Sequence, residues 1–146
     1  MIKNRQQFLN RLRVRLGDLP VKNSKAAMFK AVNLVKNEAQ QSIMRGSKTG
    51  ETVKKYNPSR THTQSAAGQP PASDTGFLVS NITTDIQSEG VGAGAQVVGS
   101  VISSAPYSKA LEYGTVNMPA RPFMGPALKK NAGKIRVIFV KQGLIS

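Results

Sequence analysis

Tyr107-Ser108-Lys109-Ala110-Leu111-Glu112-Tyr113-Gly114-Thr115, followed at once by Pro119-Ala120-Arg121-Pro122-Phe123-Met124-Gly125-Pro126-Ala127, reads as helix, stop, stiff link and second helix. Ala105-Pro106 opens the first helix, since proline is suited to a first turn, and places Tyr107, Ala110 and Leu111 on one face. Gly114 stops it in the usual C-terminal position. Pro119 and Pro122 each restrict the residue before them, so the link is extended and stiff. Phe123, Ala127 and Leu128 begin the last element. Its continuation, residues 134–141, is rich in β-branched residues yet runs on from a helical pattern, and we read it as helix. Glu112 falls on the face away from Tyr107 and Leu111. Arg121 follows a link able to turn the chain back, so the two are expected to pair and fix the angle between the last two helices. Phe123 is expected in the core, the default for a lone aromatic after proline.

Working outward, residues 82–87 alternate apolar and polar (Ile82, Thr84 and Ile86 against Thr83, Asp85 and Gln87), as a half-buried strand does. A second strand has Val97, Gly99 and Val101 on one face and Val98, Ser100 and Ile102 on the other. The glycine-rich turn at 89–94 joins them into a β-hairpin. Asp74-Thr75-Gly76 caps one helical turn holding Phe77 and Leu78. Nearer the N-terminus, Phe8, Leu9, Leu12 and Leu16 at helical spacing predict an amphipathic helix over 2–16. A second helix starts at an N-cap Ser24 and carries the stripe Ala27, Ala31, Leu34, Val35 and Ala39, continuing to Ile43 before Gly46. Small residues on that stripe let the helix lie close to a neighbour. Between 47 and 73 the periodicity vanishes into Gly, Pro, Ser, Thr, Gln and Asn, a long extended loop that is either disordered or held by something else. The expected fold is therefore α+β, one domain over 1–146: N-terminal helices, a β-hairpin or small antiparallel sheet, and C-terminal helices.

With 146 residues and 39% hydrophobic content, the chain buries a modest core with few large anchors. It lacks cysteine, which excludes disulfides, thiolate metal sites and a cysteine nucleophile and agrees with a reducing cytosol. No stretch has the apolar length of a membrane span or signal peptide. Twenty-one Lys and Arg against seven acids give a formal charge of +14, and residues 1–60 hold most of the excess. Such a surface attracts phosphate chains or acidic proteins; it also simply solvates exposed helices.

The chemistry of an enzyme is not visible. The glycines at 90, 92 and 94 lead into a strand with no following Lys, so they form a turn and not a phosphate cradle. His62, the only histidine, lies in the patternless segment between two threonines, where it is expected to be an exposed loop residue. The acids are scattered singly, which disfavours general acid–base work and Mg²⁺, and one His without Cys disfavours zinc. We expect no catalysis, no cofactor and no metal.

The succession Gly68-Gln69-Pro70-Pro71, Asp74-Thr75-Gly76-Phe77-Leu78 with Ile82, Tyr107, Leu111-Glu112-Tyr113-Gly114-Thr115, Ala120-Arg121-Pro122-Phe123-Met124 and Pro126-Ala127-Leu128 closely resembles the neck and tail-completion proteins of long-tailed bacteriophages, relatives of the lambda minor tail protein Z among them. The resemblance runs in order from residue 24 to about 130. It implies a small α+β virion subunit assembling as a homo-oligomeric ring, a hexamer or dodecamer, at the head–tail junction. It also implies neighbours among head-closure, tail-terminator or tail-tube proteins, DNA passing through the channel, and no membrane. On this reading the assembly motif comprises Asp74, Gly76, Leu78, Tyr107, Leu111, Glu112, Tyr113, Gly114, Thr115, Arg121, Pro122 and Phe123, and the loop at 47–73 is an arm that orders on a neighbour. The competing class is a basic nucleic-acid-binding protein using the Lys/Arg-rich N-terminal helices.

Overall fold

The computed structural model describes residues 10–15, 21–46, 48–90 and 96–144. In chain order the elements are β1 (Asn10–Arg15), α1 (Val21–Met44), β2 (Thr52–Tyr56), β3 (Ser59–Thr63), α2 (Phe77–Ser80), β4 (Ile82–Glu89), β5 (Gln96–Ser103), α3 (Ser108–Tyr113) and α4 (Met124–Lys141). The α+β class is as expected, and α4 runs as one helix through the ambiguous β-branched stretch.

The first departure is at the N-terminus. Residues 10–15 form a strand and not part of a helix, antiparallel to β5 with Asn10 opposite Val101 and Arg15 opposite Gln96. The period that matters there is two: Leu12 and Val14 alternate with Arg11, Arg13 and Arg15, and pairing with β5 satisfies backbone groups that a short isolated helix leaves marginal. The rest of the expected 2–16 helix lies outside the described residues.

The hairpin is present, with β4 antiparallel to β5 from Ile82 opposite Ser103 to Glu89 opposite Gln96. Its glycine turn lies partly outside the described residues. The sheet order is β1-β5-β4, so β5 is central. Val97, Gly99 and Val101 on its inner face are buried.

Helix α1 lies across that face and also packs on α4. Its buried stripe is Ala27, Met28, Ala31, Val32, Val35, Ala39 and Ile43, with Leu34 only half-buried. The close approach is set by Gly99: a Cβ there would stand 2.5 Å from Met28 Sδ and 2.6 Å from Val32 Cγ1. A sheet position without a side chain thus lets the helix settle on the strand. Ser24 does not cap α1, which starts three residues earlier; it is buried inside the first turns with Oγ unpartnered.

The second departure is between 47 and 73. Residues 52–56 and 59–63 pair in register, Thr52 opposite Thr63 and Tyr56 opposite Ser59, forming a separate two-stranded sheet around a turn at Asn57-Pro58. The base of the segment belongs to the body: Ser65 and Pro71 are buried, and Gly68 N donates to the Ala120 carbonyl at 2.9 Å. The stretch is a hairpin on a packed stalk, not a continuous loop.

Candidate functional site

The joint between α3 and α4 is built by one side chain. Phe123 is the N-cap residue of α4, and a helix leaves its first four N–H groups without intrahelical partners. Phe123 and Met124 donate to Glu112 Oε2 at 2.9 and 3.0 Å, and Gly125 donates to Oε1 at 2.8 Å. The fourth group does not exist, because the next residue is Pro126. One carboxylate and one proline thereby settle all four positions, and the carboxylate's charge also suits the positive end of the helix dipole.

The expected Glu112–Arg121 pair is therefore not formed. Glu112 is buried, 9% exposed, and its carboxylate faces the α4 terminus. Arg121 turns the other way and donates from Nη2 to Gln64 Oε1 at 3.1 Å. The physical reason is competition: three backbone N–H groups fixed by a helix start offer the carboxylate more than one mobile guanidinium. The expected function of Glu112, fixing the junction of the last two helices, is retained by this other route.

The backbone supports the joint from both sides. Arg121 N donates to the Leu111 carbonyl at 2.6 Å, and Thr115 and Met118 exchange bonds of 2.8 and 3.3 Å that close the intervening turn. Gly114 enters that turn with φ 76° and ψ 175°, a region open essentially to glycine alone. Phe123 is fully buried, as expected. Ser108 starts α3 with its hydroxyl 2.5 Å from Ser103 Oγ at the end of β5.

Beside the joint lies a cleft of about 460 Å³. Of the expected motif, Asp74, Gly76, Leu78, Tyr107, Leu111 and Arg121 line it. Glu112, Pro122 and Phe123 belong to the joint, while Tyr113 ends α3 and Gly114 and Thr115 enter the turn, all three off the cleft wall. Asp74 does not cap α2; Gly76 holds that N-cap position without a side-chain bond. Instead Asp74 receives hydrogen bonds from Lys55 and, at 3.0 Å, from Arg60 Nη2, with His62 Nδ1 3.6 Å from its other oxygen.

His62 is accordingly no exposed loop residue; its side chain is 13% exposed and faces Asp74. The hydrogen bond from Lys55 holds the Asp74 carboxyl below its ordinary value, and the nearby His62 and Arg60 charges act in the same direction against desolvation. Burial raises the Tyr107 phenol, with the Asp74 charge adding to it.

Lys55, Arg60 and His62 are the residues that sequence reasoning missed. Lys55 and Arg60 stand directly opposite each other in the β2–β3 ladder, an arrangement of like charges that opposes pairing. Asp74 removes the conflict by accepting from both. The available signal was two short runs with β-forming residues, Thr52, Val53 and Tyr56 before Asn57-Pro58 and Thr61 and Thr63 alternating with Arg60 and His62 after it.

At the cleft rim, Phe77 and Tyr107 stack tilted, ring centroids 6.3 Å apart. Among the described residues no helix is long and apolar enough to cross a membrane, and no group of His, Cys, Asp and Glu is arranged to hold a metal. Comparison with protein-family models, with curated proteins and with solved structures finds no match to this chain.

Proposed function

We propose that this chain is a non-catalytic structural subunit of the neck of a long-tailed phage, forming a homo-oligomeric ring at the head–tail junction around the DNA path. The carrying observation is that the motifs whose ordered succession resembles that family converge in space. Residues 74–78 lie about thirty positions before 107–123, yet the two stretches share one cleft, with the 107–112 and 121–123 joint beside it. A constellation that holds two helices at a fixed angle suits a building block whose neighbours must meet it in one geometry.

The exposed hairpin supports the same reading. An isolated two-stranded hairpin is marginal in water, and β2–β3 presents Val53 and Tyr56, the latter 80% exposed, outside the main sheet. Such an arm gains from a neighbouring surface. Electron microscopy of the purified protein, and of particles from its source, tests the proposal: rings at the head–tail junction are expected. A protein that stays monomeric at all concentrations, and binds DNA with the steep salt dependence of phosphate neutralisation, would belong to the nucleic-acid-binding class instead.

A further inference from the structure

We propose that the cleft beside Arg121 receives an acidic side chain, presented next to an apolar one by a short segment of a different protein of the assembly. This deepens the structural reading above and rests on it.

The cleft gathers three permanent cations, Lys55, Arg60 and Arg121, against one carboxylate, Asp74. Its two guanidinium groups are only partly used. Arg60 Nη2 donates to Asp74 and Arg121 Nη2 to Gln64, while the Nε of each is buried without an acceptor. A guanidinium offers its donors as a planar fork matched to a carboxylate, and a buried donor left unpaired is costly. The two Nε atoms are closed to an entering group as they are to water, so a further carboxylate meets the rest of the two guanidinium groups and Lys55 along the cleft wall as charge-assisted donors.

The remaining lining is apolar. Leu78, Leu111 and Met118 line the cleft, and Phe77 and Tyr107 meet at its rim. That surface takes an aliphatic or aromatic neighbour of the acid. A volume of about 460 Å³ accommodates a few side chains and not a duplex. Asp74 in the cleft wall also opposes a polyphosphate, whose charge repeats along its length, more than it opposes one carboxylate set among three cations. A different protein is favoured over a second copy because this chain has few acids to offer: of its seven, Glu38, Asp74 and Glu112 already hold partners within the chain.

The test uses the full chain, labelled with ¹⁵N, and a set of short peptides of graded acidity in which Glu or Asp is flanked by Leu or Phe. Each peptide is matched by a Gln or Asn version. Saturable shifts confined to residues around the cleft are expected with acidic-apolar peptides. Affinity should fall about tenfold with the neutral peptide and with Arg121→Gln, and less with Phe77→Ala. Unchanged melting of both variants shows that the fold is kept; if Arg121→Gln melts early, Lys55→Gln serves in its place. Equal binding of neutral peptides, shifts away from the cleft, displacement by single-stranded DNA, or no saturable binding across the set overturns the proposal. Rings by microscopy without peptide binding remove this inference alone, whereas peptide binding by a chain that never forms rings removes the assembly reading.

Discussion

The Glu112 carboxylate accepts the backbone N–H of Phe123 at 2.9 Å, so the last residue but one of α3 holds the N-cap residue of α4. With Met124 and Gly125 also bound to it, one side chain defines both where α4 begins and how it leaves α3. Hydrogen bonds to a charged acceptor inside a protein are among the stronger ones.

Glu112→Ala is expected to destabilise the fold by about 2–4 kcal/mol, since buried N–H groups lose a charged acceptor. Glu112→Gln, which keeps one oxygen, should cost less. A double exchange of Glu112→Arg with Arg121→Glu should be no more stable than Glu112→Arg alone, because the two side chains are not partners. Urea denaturation of the four proteins checks this, and recovery in the double exchange would contradict the capping role.

Gly99→Ala places a methyl 2.5 Å from Met28 Sδ and should cost about 1–3 kcal/mol through overpacking. Met28→Ala empties that space. The double variant should therefore be more stable than the sum of the single losses predicts, by about 1 kcal/mol or more. Strict additivity would mean that α1 does not rest on β5 at this point.

Gly114→Ala demands φ 76° of a residue with a Cβ, and that Cβ would stand 2.9 Å from Ala120 N and Met118 O. The expected loss is about 1–3 kcal/mol, seen as an earlier thermal transition. Gly133→Ala is the control: it lies inside α4 with open space around it, and should be neutral or slightly stabilising.

The Asp74 carboxyl is held below its ordinary value of 3.8 in the folded chain, first by the Lys55 hydrogen bond. A depressed folded value means that the contribution is complete above the unfolded value and declines as pH falls through it towards the folded one. The β2–β3 resonances should therefore shift towards unpaired values on acidification below about pH 4, while those of α1 and β5 hold. Asp74→Asn should loosen the hairpin at neutral pH and abolish this acid step. A hairpin indifferent to both would show that Asp74 does not tether it.

Removing the hairpin alone, residues 52–63, should leave the helix content and the melting cooperativity of the body intact while impairing ring formation. Removing all of 47–73 should also damage the body, because Ser65 and Pro71 are buried in it. Circular dichroism separates the two deletions. Ring assembly that is normal without 52–63 would deprive the hairpin of its role as an arm.

What the sequence by itself determined is what local chemistry dictates: the small-residue stripe of α1, the alternation of β4 and β5, the stop at Gly114 and the burial of Phe123. These follow from periodicity and backbone restriction, which act over a few residues. Tertiary structure alone decided the partners. The three N–H groups at the start of α4 outbid Arg121 for Glu112. Residues 10–15 became a strand because β5 had an open edge. Lys55 and Arg60 pair across a ladder only because Asp74, from another part of the chain, sits between them. In each case several groups competed for one acceptor or one edge, and the winner was set by which of them the packing of α1 on the sheet and on α4 brought within reach.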